Sequence, residues 1–153
     1  MIDHLEALFP KLESNSFRVT SLRDPVYNCI AWAAGVTNDW WWPLENPAEA
    51  YWPDGLARVR TLEAFCAAFA TLGYVVCPGE DVEPGFEKVA VFADALDRPT
   101  HAARQLSSGR WTSKLGKAED IEHDLHDLGG DLYGNVVLVM KRPLRPSAET
   151  RQQ

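Results

Sequence analysis

The sequence predicts an α+β domain, because helical periodicity fills its first half and strand-like runs separated by short turns fill its second. Its 153 residues are 46% hydrophobic and 24% charged, the proportions of one ordinary globular domain. That balance rules out a disordered tail, a collagen-like chain and a small disulfide scaffold. The domain is expected over residues 1–142, with N-terminal helices packed on a mostly antiparallel sheet and a polar tail at 143–153.

In chain order, Ile2, Leu5, Leu8, Phe9 and Leu12 recur at helical spacing and predict a short amphipathic helix. Phe17–Leu22 alternates weakly and leads to a turn at Arg23-Asp24-Pro25. The next helix has two possible starts: Asp24 as N-cap with Pro25 first, or Asn28 ahead of a cysteine in the first turn. Gly35 stops it. From Thr37 to Gly55 the chain carries Trp40, Trp41, Trp42, Tyr51, Trp52, Pro43, Pro47 and Pro53, an irregular aromatic loop too apolar for a linker. Leu62, Phe65, Cys66, Phe69 and Leu72 then trace a helical stripe that ends at Gly73, and Tyr74–Cys77 reads as a short strand.

In the second half, Val89–Ala93, His101–Leu106 and Arg110–Leu115 are separated by turn residues and predict an antiparallel meander. Ala118–Leu128 reads as a charged helix closed by Gly129-Gly130, and Tyr133–Lys141 is the strongest strand.

Fifteen Lys and Arg against 22 Asp and Glu give a net charge of −7, and no dense basic patch exists to draw a phosphate backbone. Nucleic acid is therefore not an expected partner. The cysteines Cys29, Cys66 and Cys77 form no C-x-x-C pair, which excludes a zinc ribbon and fits reduced thiols in the cytoplasm. The first residues carry no signal-peptide pattern, and the uncharged stretch Pro25–Thr37 is too short to span a bilayer. A cytoplasmic location is expected; an extracellular role would require specialised export or release by lysis. No Walker A, G-x-G-x-x-G, H-E-x-x-H or G-x-S-x-G pattern occurs, and no cofactor is expected.

Cys29 is the first candidate for chemistry, since a helix N-terminus favours the thiolate and offers N–H groups to an oxyanion. Asn28 beside it could donate another amide hydrogen. The competing reading of Cys29 is a small buried hydrophobe within I-A-W-A-A. His101 opens a strand and is a candidate base facing the helix-borne thiol; a structural histidine is the competing reading. His123 and His126 are three apart on the expected charged helix, a spacing that suits a metal. A solvated acidic helix is the preferred reading there, so no metal is expected. Cys66 belongs to an apolar stripe, and Cys77 has no partner. Trp40, Trp41 and Trp42 form either a hydrophobic plug or one wall of a substrate groove.

A helix carrying Y-N-C-I-A-W-A, followed by a sheet with T-H-A on its second strand, resembles the papain-like fold and within it the compact NlpC/P60 cysteine hydrolases. The resemblance spans about Asp24 to Lys141, although Asn28-Cys29-Ile30-Ala31 stands where that family has D-C-S-G. It implies Cys29 as nucleophile, His101 as base and a polar orienting residue about a dozen positions later, which lands on Ser113. Asp120 is the carboxylate alternative. The implied activity is hydrolysis or acyl transfer at an amide: a peptide, a side-chain amide or a cell-wall stem peptide. The other reading is an inactive papain-like module that binds a protein or ligand through the tryptophan loop. Oligomeric state stays open.

Overall fold

The run Val89–Phe92 alternates nothing: every side chain in it is apolar and fully buried, as expected of a strand covered on both faces. The computed structural model describes residues 9–12, 17–21, 24, 26–46, 48–115 and 119–144. Its elements are β1 (Arg18–Val19), α1 (Cys29–Ala33), α2 (Leu62–Ala70), β2 (Val75–Val76), β3 (Phe86–Ala93), β4 (Pro99–Gln105), β5 (Trp111–Lys114), β6 (Asp120–His123), a 3-10 turn (Leu125–Leu128) and β7 (Asn135–Pro143). The strands form a seven-stranded antiparallel sheet in the order β1-β6-β5-β4-β3-β7-β2. The architecture is α+β.

Two cores lie on opposite faces of this sheet. Val89, Val91, Ala102 and Met140 pack against Ile30, Ala31, Phe65 and Phe69 of the helices, with Trp41 and Trp52 of the aromatic loop. Ala90, Phe92, Ala103, Trp111 and Ile121 face the other way, where Phe9, Leu12, Phe17, Leu125 and Leu128 cover them. Two faces per strand, at period two, are what the alternation of residue numbers between the cores reports.

Three expectations need correction. The charged helix at Ala118–Leu128 is instead strand β6 followed by a 3-10 turn. Ile121 pairs with Ser113 and is fully buried, so pairing and burial outweigh the helix-compatible charge pattern. The polar tail begins later than residue 143: Pro143 pairs with Phe86, and the Leu144 amide donates to Gly85 O at 2.9 Å. Of the expected first helix, residues 9–12 form a turn closed by Leu12 N–H on Phe9 O at 2.9 Å, and the rest lies outside the described residues. Residues 145–153 of the expected tail lie outside them too.

Gly134 is required where β7 begins. Its φ is +76°, and a Cβ there would sit 1.9 Å from the carbonyl oxygen of Ala93.

Candidate functional site

Asn28 settles where α1 begins: with extended backbone, it caps the helix by accepting the Ala31 amide on Oδ1 at 3.1 Å. Cys29 is therefore the first helical residue. Trp32 pins the short helix to the sheet by donating Nε1–H to Thr112 Oγ1 at 3.0 Å. The Cys29 thiol is buried, and burial pushes its pKa up to about 11; the amides of Ala102, Ile30 and Cys29 itself pull the other way. The expectation of a thiol activated by the helix terminus is thus corrected. A five-residue helix adds few aligned dipoles, and loss of water outweighs them.

His101, on β4, is fully buried. Its Nε2 lies 2.9 Å from Ser113 Oγ, and Ser113 Oγ lies 2.7 Å from His123 Nε2. His123 Nδ1 in turn lies 2.7 Å from the carbonyl oxygen of Asp124. His101 Nδ1 is buried without a hydrogen-bond partner. The Tyr133 ring stacks on the His101 imidazole with centroids 4.1 Å apart and planes 8° from parallel, and Phe92 meets it edge-on at 5.3 Å. Tyr133 is itself held by Thr100, whose hydroxyl donates to its carbonyl. Burial keeps both imidazoles neutral: His101 titrates well below the usual histidine range, with the His123 charge adding to the effect, and His123 falls to about 4.

The structure brings His101 and Ser113 together, while the thiol makes no hydrogen bond to His101 Nδ1. Strand parity explains this. Ala102 packs under α1, so His101 and Ala103 project to the opposite face, and the expected base facing the thiol is corrected on that point. The β4–β5 ladder pairs only Arg104 with Thr112 and Gln105 with Trp111, and stops short of His101. Cys29 and Ala102, one residue from the histidine, share the core on the helix face of the sheet. The phenol of Tyr133, pushed upward by burial, is also raised by the Cys29 charge.

Other candidates fall elsewhere. The Asn28 carboxamide is occupied at both ends, accepting from Trp41 N at 3.0 Å and donating to Trp41 O at 2.6 Å. Trp41 is a core residue beside Tyr51, and Trp42 packs edge-on against Phe65 with Arg60 over its ring; Trp40 is half-buried. For Trp41 the substrate-wall reading is corrected to a structural plug. Asp120 receives the Tyr27 hydroxyl on Oδ2 at 2.8 Å, away from the His101–Ser113 pair, and its Oδ1 is buried without a partner. Burial raises the Asp120 pKa, and burial with that hydrogen bond takes Tyr27 to about 12. His126 is exposed on the 3-10 turn at 2.9 Å from Glu80, so His123 and His126 do not share a helix face. Among the described residues no group of three or more His, Cys, Asp or Glu is placed to hold a metal.

Tyr133 escaped the sequence as a site residue, and His123 was weighed only as a metal ligand on a helix, not as a partner of Ser113. Ile121 and His123 stand two apart, the spacing of one strand face, and that was the available signal.

The family model described as Domain of unknown function (DUF7689) matches residues 18–141. The chain belongs to that family. The matched span of this DUF7689 member contains the whole sheet save the end of β7, together with Cys29, His101, Ser113 and His123. Searches of the curated proteins and of the solved structures found no match. Among the described residues no helix is long and apolar enough to cross a membrane.

Proposed function

We propose that this DUF7689 member is a papain-like thiol hydrolase or acyl-transferase acting on an amide. The observation that carries the reading is the state of His101: Nε2 is tied to Ser113, and Nδ1 is buried, unpartnered and one residue from Ala102, which shares the helix-face core with Cys29. A neutral imidazole with a bare nitrogen is the form a general base needs. The reaction requires the unpaired end of β4 to open so that Cys29 Sγ can pass its proton to His101 Nδ1; the thiolate then attacks the carbonyl carbon. The amide N–H groups at the start of α1 take up the oxyanion charge. The C–N bond breaks, the amine leaves with the proton held by His101, and water or an acceptor amine then releases the acyl group from sulfur. Further support comes from the order of elements, a cysteine at the head of a helix laid on an antiparallel sheet that carries the histidine.

One observation favours the rival, a papain-like module that binds without catalysis. The resting thiol is closed off and held protonated, with no bond to the imidazole. The test is turnover of a panel of fluorogenic peptide, glutamine-side-chain and stem-peptide amides by the intact chain. Cys29→Ala and His101→Ala are each expected to reduce turnover to background with an unchanged circular dichroism spectrum. Turnover that survives Cys29→Ala, or none on any amide, sinks the hydrolase reading; the latter leaves the binding module.

A further inference from the structure

We propose that His123 is a positioning residue that, through Ser113, holds the proton of His101 on Nε2 and leaves Nδ1 bare. Its catalytic meaning rests on the hydrolase reading, whereas the proton placement itself does not.

The direction of the chain follows from its last link. A backbone carbonyl can only accept, so the 2.7 Å contact with Asp124 O places a proton on His123 Nδ1. A neutral imidazole carries one such proton, which makes His123 Nε2 an acceptor. At 2.7 Å the Ser113 hydroxyl must then donate its only hydrogen to His123. Ser113 Oγ has lone pairs left for His101, so the 2.9 Å contact is a donation from His101 Nε2–H. The His101 proton is spent there, and Nδ1 is bare.

Burial independently favours the same arrangement. His101, Ser113 and His123 are all fully buried, and the reverse tautomer would leave an orphaned N–H at His101 Nδ1. Tyr133 stacked on the ring resists a flip that would exchange the two nitrogens. Neutrality of both rings, which the deduction requires, agrees with the downward shifts of both groups.

The test is the imidazole nitrogen spectrum of the ¹⁵N-labelled full chain at pH 7.5. In the parent, His101 is expected to show a protonated Nε2 and a bare Nδ1, with His123 the reverse. His123→Gln, whose side-chain oxygen can still accept from Ser113, should preserve the His101 tautomer. His123→Phe should let the Ser113 hydroxyl turn toward His101 and move its proton partly or wholly to Nδ1. Should His123→Phe fail to fold, Ser113→Ala breaks the same link and should give the same change. A parent with the proton on His101 Nδ1 overturns the proposal, as does an unchanged tautomer in the folded link-breaking variant. If amides are turned over, the link-breaking variant should lower kcat ~10²-fold at unchanged KM, while His123→Gln retains it. The expected spectra without any turnover would uphold the positioning and sink the hydrolase.

Discussion

Asn28 and Trp41 are locked together by both backbone groups of the tryptophan. Its N–H donates to Asn28 Oδ1 at 3.0 Å, and its carbonyl accepts from Nδ2 at 2.6 Å. The same Oδ1 caps α1 through Ala31. One buried side chain therefore fixes both the cysteine helix and the aromatic loop.

Asn28→Ala removes a cap, worth ~1 kcal/mol, and orphans two buried backbone groups at ~1–3 kcal/mol each. A loss of about 3 kcal/mol or more is expected in urea denaturation. A loss below ~1 kcal/mol would show that water replaces the clamp.

The tryptophans should separate by burial. Trp41→Ala is expected to cost ~3–5 kcal/mol, as core truncations do. Trp40, half-buried, should cost less than ~2 kcal/mol when truncated. Equal losses in thermal or urea unfolding would contradict the placement of Trp41 in the core.

Stability should fall in mild acid. The folded-state pKa of His123, about 4, lies below the ordinary 6.5, so between those values the unfolded chain binds the extra proton. The contribution is complete above pH 6.5 and is lost as the pH falls toward 4, by about 3 kcal/mol for this residue. His101 acts with the same sign. Urea midpoints at pH 7.5 and 5 should differ less in His123→Gln than in the parent; an equal difference would place the proton uptake elsewhere.

The resting thiol should be sluggish. Iodoacetamide at pH 7.5 is expected to reach the half-exposed Cys66 before the buried Cys29 and Cys77. Labelling at Cys29 should rise with pH toward its pKa of about 11. Preferential labelling of Cys29 at pH 6 in mass mapping would contradict the closed site.

Gly134→Ala meets both a left-handed φ and a backbone oxygen 1.9 Å away, so a loss of about 3 kcal/mol or more is expected. Gly35, with φ +84° and open space around it, should cost only ~1–2 kcal/mol as Ala. Matched losses in the two variants would mean that backbone strain alone decides.

The strands at Val89, His101, Arg110 and Val136 were legible because apolar runs between turn residues encode them locally, as was the helix from Leu62. Ser113 came from the resemblance, which implies a polar residue about a dozen positions past the histidine, and the structure places it 2.9 Å from His101. β6 was not legible, because D-I-E-H carries the composition of a solvated helix and becomes a strand only through pairing with β5 and β1. The face on which His101 projects depends on register, and the Cys29 pKa on burial; neither is local information.

Only the Arg104–Thr112 and Gln105–Trp111 pairs join β4 to β5, so the sheet consists of two panels meeting at a seam. One panel is β1, β6 and β5; the other is β4, β3, β7 and β2. Across the seam run the Trp32–Thr112 bond on one face and the His101–Ser113 bond on the other. Such a boundary divides cooperative units in native-state hydrogen exchange. The amides of β5 and β6 should open together at a lower free energy than those of β3 and β7. Any ligand that binds across the seam would then close that gap in protection, acting as a rivet between the panels.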